Sequence, residues 1–269
     1  MTTTPGAVWV VVETRGSQAW LRRLDPSTGR LRFSALIGRA GPDFGAVAEA
    51  DGVVFAAAGD HVIRAPAAAA RVERARVAGE AAAIAIGFRS VWVASIGQQR
   101  NWITRLNAST LAVEAHIPLT VQPVGLRAAL GSVWLATTAS LQTISPATDR
   151  LKPTSVRTIN PIGLLIFGGQ LWLYQLGDVV TAVAGPRSSG VKLALPFRAS
   201  AVASTPARIW ATDNCACTRG TIALLDARTH RLVAETRIGE TPVALAADGD
   251  AAFVATFSDG TLSSVHLSD

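Results

Sequence analysis

Apolar residues along this chain come in short runs of five to eight, cut by Gly, Pro, Asp, Asn and Ser. Such runs, rich in β-branched and aromatic residues and bounded by turn formers, predict β-strands. No helical period extends beyond two turns; residues 67–76 are the one helix-like stretch, and they fall where a strand is expected. One pattern recurs: a Gly or small residue, then an apolar–aromatic–apolar triplet. The triplets centre on Trp9, Phe55, Trp92, Trp134, Trp172, Trp210 and Phe253, at separations of 46, 37, 42, 38, 38 and 43 residues. Five of the chain's seven tryptophans occupy this position, so tryptophan marks a structural repeat and not a bias of composition.

Each repeat carries the same order of elements. A run of small apolar residues (strand A) precedes the triplet (strand B). A polar loop and an alternating run (strand C) follow, as in Thr221, Ile222, Ala223, Leu224 and Leu225. Then comes a turn opened by Asp25, Asn107, Ser145 or Asp226, and a fourth run, strand D. An Asp, Asn or Ser side chain in that place can bond to its own backbone, and Gly tolerates the positive φ such turns need. Four short strands per unit of about 41 residues, seven times, is the arithmetic of an all-β, seven-bladed β-propeller. Residues 1–269 read as a single such domain. Small residues in strand A fit the crowded axis, and the large ring in strand B fills the wedge between blades.

The stretches GSVWLATT, LQTISPATDRL and GTIALLDARTHRLVAETRIGETPVALAADGDAAFVATFSDGTL resemble the YVTN/NHL-type and virginiamycin B lyase-like propellers. Gly239, Glu240, Thr241 and Pro242 match the element that closes that repeat. The resemblance covers essentially residues 6–269. It implies the fold and leaves the activity open, because many activities share this scaffold. Counted against the repeat, strands B and C occur seven times and strands A and D six. The first A strand and the last D strand are missing. Because full closure removes sheet edges, an upstream extension of roughly 20 residues or more holding both is expected, the alternative being an open ring. An export signal or anchor could accompany it, so the compartment stays open.

Composition narrows the function classes. Two cysteines exclude a disulfide-dense scaffold or a zinc ribbon. No apolar run nears the length that spans a bilayer, and residues 1–6 lack the pattern of a signal peptide, so no membrane insertion is expected. The net charge of +6 is carried by 23 arginines and two lysines without a basic run. Nucleic acid is therefore not an expected partner, and the arginines read as solvated strand and turn positions.

The longest B–C loops belong to units one, three and six, and loops carry function more often than strands. They nominate Arg15, Gln98, Arg100, Asn101, Asp213, Asn214 and Arg219 as a binding site for a protein partner or a small polar ligand on a monomeric chain. Cys215 and Cys217 form a C-x-C pair: a strained local disulfide, a redox pair, half a metal site or two inert thiols. A bridge is favoured if the protein is exported, inert thiols otherwise. The resemblance also raises a metal-dependent lyase at the channel mouth, which needs His and Glu side chains converging there. Of the four histidines, only His61 falls in a B–C loop. His116 reads as an outer strand, His230 as the opposite rim and His266 as the end of a strand. Asp60, Asp178, Asp213 and Asp259 recur in B–C loops, where turn capping accounts for them. No catalytic residue, cofactor or metal is expected, and the favoured function is a non-catalytic binding, scaffold or sensor module.

Overall fold

The computed structural model describes residues 1–41, 45–66, 72–185, 191–213, 220–256 and 260–266. Every regular element among them is a β-strand. Blade 1 consists of β1 (Thr2–Thr4), β2 (Ala7–Thr14), β3 (Gln18–Leu24) and β4 (Leu31–Arg39). Blade 2 consists of β5 (Ala46–Ala50), β6 (Val53–Ala58), β7 (His61–Pro66) and β8 (Glu73–Arg76). Blade 3 holds β9 (Glu80–Gly87), β10 (Ser90–Ile96), β11 (Asn101–Asn107) and β12 (Val113–Leu119). Blade 4 holds β13 (Pro123–Ala129), β14 (Ser132–Thr137), β15 (Ser140–Ile144) and β16 (Leu151–Arg157). Blade 5 comprises β17 (Pro161–Phe167), β18 (Gln170–Gln175), β19 (Val179–Ala184) and β20 (Lys192–Ala194). Blade 6 comprises β21 (Ala199–Ser204), β22 (Arg208–Asp213), β23 (Thr221–Asp226) and β24 (Leu232–Arg237). Blade 7 comprises β25 (Pro242–Asp248), β26 (Ala251–Thr256) and β27 (Leu262–His266). Each sheet is an antiparallel meander, and the seven are the blades of a β-propeller.

The chain divides into two compact units, Met1–Thr158 with blades 1–4 and Ile159–Asp269 with blades 5–7. In the first, the opening strands of successive blades pack side by side, β1 on β5, β5 on β9 and β9 on β13. In the second, β17 packs on β21 and β21 on β25. Gly87 shows why small residues line these strands: a Cβ there would come within 2.5 Å of the Ala128 Cβ. The ring of the triplet is buried against the next blade; Trp9, Trp92, Trp172 and Trp210 are at most 1% exposed.

Two repeated bonds explain the sequence pattern. First, the indole Nε1–H of Trp92, Trp134 and Trp172 donates to the carbonyl five residues earlier, on Gly87, Ala129 and Phe167, at 3.3, 3.1 and 3.2 Å. Trp9 donates to the Thr4 hydroxyl at 3.0 Å instead. The ring therefore fills the wedge and pins the A–B hairpin of its own blade. Second, the C–D turns of blades 1, 3 and 6 are built alike. Asp25, Asn107 and Asp226 each accept backbone N–H bonds from the residues two and three further on. The fifth position is left-handed in every case: Gly29, Leu111 and His230, with Asp149 in the turn that Ser145 opens. Only the first is glycine, because the others carry side chains that lock onto a neighbouring blade. Leu111 is buried in the cluster around Phe55, Asp149 receives Arg105 at 2.9 Å, and the His230 ring meets Trp172 edge-on at 5.7 Å.

The strand tally needs one correction. The first A strand exists: Thr2, Thr3 and Thr4 pair with Trp9, Val8 and Ala7 across a turn in which Gly6 has φ +69°. Three threonines make no apolar run, so a search for hydrophobic runs passes over them. Blade 7 has three strands among the described residues, with no D strand. The arginines also differ from the solvated reading. Arg23, Arg64 and Arg105 stand directly across from Trp9, Phe55 and Trp92 on the neighbouring strand, and Arg23 and Arg105 lie over the indoles at 5.7 and 5.1 Å.

Candidate binding loops of blades 1, 3 and 6

The B–C loops stand at the opposite end of each sheet from the A–B and C–D turns. In blades 1, 4 and 7 a threonine at or near the end of strand B bonds the carbonyl that opens strand C: Thr14 to Gln18, Thr137 to Ser140 and Thr256 to Thr261. Asp213 does the same work in blade 6 through the Thr221 N–H, at 3.0 Å. One nominated residue is thus engaged in shaping its own loop, as turn capping requires. Asn214, Arg219, Cys215 and Cys217 lie outside the described residues.

Blade 3 departs from this rule. Its equivalent residue, Ser95, is fully buried, and its Oγ has no hydrogen-bond partner. The loop from Ile96 to Asn101 is held by close backbone packing. A Cβ on Gly79 would come within 2.6 Å of the Ile96 carbonyl, and one on Gly97 would collide with the Arg100 carbonyl. Gln98 and Arg100 are exposed, and Asn101 is half-buried at the start of β11. The Arg100 guanidinium lies over the Trp102 ring at 5.8 Å, Trp102 meets the His116 ring edge-on at 6.2 Å, and His116 Nδ1 lies 3.2 Å from the Thr104 hydroxyl. Arg100, Trp102 and His116 thus form a continuous half-exposed ledge beside Gln98 and Asn101. Trp102 falls outside the 41-residue period. That is the one signal in the sequence that sets this tryptophan apart from the wedge-filling ones.

Arg15 is exposed at the tip of the blade 1 hairpin, which Ser17 (φ +52°) closes through its N–H to Thr14 and its carbonyl to Ala40. Arg15 and Arg100 therefore occupy equivalent tips on blades 1 and 3, with the short Gly59–Asp60 loop of blade 2 between them in the chain order of the blades. In that loop His61 Nδ1 lies 2.6 Å from Asp60 Oδ1, and Arg76 Nε 3.8 Å from Asp60 Oδ2. The His61 ring seats over Gly38 of blade 1, where a Cβ would come within 3.1 Å of Nδ1.

The other histidines are spread over separate blades: His116 on β12, His230 beside Trp172, and His266 at the end of β27. No group of three or more His, Cys, Asp or Glu side chains gathers at metal-binding distance among the described residues. No helix among them is long and apolar enough to cross a membrane.

No family model matches the chain, and no curated protein matches its sequence. Its fold, in contrast, matches 835 solved chains, too widespread a scaffold to select an activity. A chain of hydrazine synthase from Kuenenia stuttgartiensis is 13% identical, with a TM-score of 0.72 over 99% of this chain and 94% of that one. A chain of the Mitotic Checkpoint Complex is 9% identical, with a TM-score of 0.72 over 100% and 86%. BamB from Moraxella catarrhalis is 12% identical, with a TM-score of 0.53 over 96% and 86%. At these identities the likeness is one of fold: this chain is a β-propeller.

Proposed function

We propose that the chain is a non-catalytic binding or scaffold module, a β-propeller of the YVTN/NHL type that takes a protein partner or small polar ligand on its B–C loops. The observation that carries this is the blade 3 ledge. Exposed polar groups on Gln98 and Arg100 sit on a backbone already fixed by Gly79 and Gly97, so binding there would cost little loop ordering. Arg100 over an indole leaves its outer face free to meet a carboxylate or a carbonyl. Arg15 adds a second exposed cation on the same end of blade 1. Asn214 and Arg219 join the proposal on sequence grounds alone. A similar fold is found within a protein assembly, the Mitotic Checkpoint Complex, which fits a protein partner better than a substrate.

The test is affinity capture from the native host, comparing the parent with Arg100→Glu and with Trp102→Ala. A partner held by the parent and lost in both variants, with thermal unfolding of Arg100→Glu unchanged, supports the reading. Equal capture by all three sinks it.

A further inference from the structure

We propose a second docking surface, at the other end of blades 3 and 4, for an acidic segment of a partner protein that carries large apolar side chains. It begins with two turns. Two-residue hairpins with positive φ at both positions normally take Asn-Gly or Asp-Gly. Blade 2 uses Asp51 and Gly52, and blade 5 uses Gly168 and Gly169, all at positive φ. Blade 3 instead places Phe88 and Arg89 there, at φ +57° and +61°, and blade 4 places Leu130 at +52° before Gly131. A bulky residue held left-handed is strained, and such strain concentrates at functional positions.

These strained side chains do not pay off in the core. Phe88 is 39% exposed and Leu130 44%. The close approach of Gly87 to Ala128 sets the two turns side by side, and the indoles of Trp92 and Trp134 pin both from beneath. Val113, 45% exposed, follows the C–D turn of blade 3, which is tied to the Phe88 turn by the Ala108 N–H to the Arg89 carbonyl, at 3.1 Å. Three of the eight exposed large apolar residues among those described thus fall at one end of two adjacent blades. Apolar groups clustered at a surface mark interaction sites.

Charge selects the occupant. The two carboxylates at this end, Glu114 and Asp149, are both taken by Arg105, at 3.0 and 2.9 Å. Arg89 and Arg150 are exposed there and make no ion pair among the described residues. A second copy of this chain, also at +6, would bring like charge to the same patch. An acidic segment with Leu or Phe anchors satisfies both features.

The probe is a fluorescein-labelled twelve-residue peptide of alternating Glu and Leu, with a Lys–Leu counterpart as control, read by anisotropy against the full chain. The parent should bind the Glu peptide and not the Lys peptide, more weakly as salt is raised. Phe88→Asn suits the left-handed turn and removes the ring. It should weaken binding about tenfold or more while raising Tm by roughly 2–4 °C. Arg89→Gly should weaken binding and flatten its salt dependence. Arg100→Glu, at the other end of blade 3, should leave this binding unchanged, so that failure here and failure of the B–C loop reading are told apart. No binding by the parent, equal binding of the two peptides, or Phe88→Asn binding like the parent would each overturn the proposal. So would a fall in Tm for Phe88→Asn, which would make Phe88 structural. Sedimentation showing a dimer that Phe88→Asn dissolves would assign the surface to a second copy instead.

Discussion

Trp172 and Trp210 stand at the same repeat position in adjacent blades, and both are buried, yet they are not equivalent. Trp172 donates its indole N–H to the Phe167 carbonyl at 3.2 Å and stacks on the Phe167 ring at 4.3 Å. Trp210 Nε1 is buried with no hydrogen-bond partner. The cause is turn length. Gly168 and Gly169 make a two-residue A–B turn, which sets the carbonyl five residues before the tryptophan at the end of strand A. Blade 6 has three residues there, Thr205, Pro206 and Ala207, and the fifth residue back is Thr205, inside the turn. Its N–H bonds the Arg208 carbonyl at 2.9 Å, and its hydroxyl accepts the Arg208 N–H at 3.2 Å. The turn is thus closed by threonine where blades 3, 4 and 5 use the indole. One sequence position therefore carries two separable roles, wedge and pin, and only the wedge is common to both.

That separation can be broken by substitution. The largest of these effects should come from Trp172→Ala, about 3–5 kcal/mol, since it empties the wedge and removes the indole hydrogen bond. The sharper comparison is Trp→Phe at both sites. Each variant leaves a similar cavity, but only Trp172→Phe loses a hydrogen bond. Trp172→Phe should cost about 1 kcal/mol more than Trp210→Phe in urea unfolding, the net contribution of one hydrogen bond. Equal losses would show that the indole bond contributes nothing and that the ring acts by volume alone.

Most of the fold was legible in the sequence because every blade puts a large ring at the wedge position, and blades 1, 3 and 6 add a side-chain oxygen at the C–D turn. What could not be read came from pairings that the period does not carry. β1 is three threonines, recognisable as a strand only through its register with Trp9, Val8 and Ala7. The candidate site was half legible. Loop length pointed to Gln98, Arg100 and Asn101, but the ledge under them depends on Trp102 and His116 meeting across β11 and β12. Asp213, nominated by its loop, also accepts the Thr221 N–H, the turn-capping contact its residue type suggests. Phe88 and Leu130 carry no signal in the sequence because an apolar residue beside a strand reads as part of it; only their positive φ sets them apart.

A second contrast lies between the arginines. Arg105 bridges two blades: it covers Trp92, pairs with Glu114, and reaches Asp149 and the Pro146 carbonyl of blade 4. Arg64, across from Phe55 in blade 2, pairs with Glu73 of its own blade at 3.1 Å. If inter-blade bridging is what gives Arg105 its weight, Arg105→Ala should cost about 2–3 kcal/mol, since it strips Asp149 and Glu114 of their ion pair and the Pro146 carbonyl of its donor. Arg64→Ala should cost about 1 kcal/mol or less, as expected for a pair with one exposed partner. Urea unfolding of the two variants measures this directly, and the reverse order would refute the bridging account.

The smallest effect separates two turns of the same shape. Asp25 and Asn107 accept the same pair of backbone N–H bonds, but only Asp25 titrates. Its bond from Arg32, with those from Ser27 and Thr28, holds its carboxyl well below the usual range, and the backbone and hydroxyl of Thr229 lower Asp226 in the same way. A carboxyl whose pKa is depressed by folding adds stability above its unfolded value, near pH 4, and that stability is lost as pH falls through the folded value. The parent should therefore lose stability as pH drops below about 4. Asp25→Asn keeps the turn bonds in the manner of Asn107 and removes the titration. The urea midpoint of this variant, followed from pH 5 down to pH 2, should fall less steeply than the parent's. Its stability at neutral pH should change little, because the lost pair with Arg32 is solvent-exposed. A slope identical to the parent's would mean that the Asp25 bonds persist equally in the unfolded chain, and the equivalence of the two turns would then extend to acid.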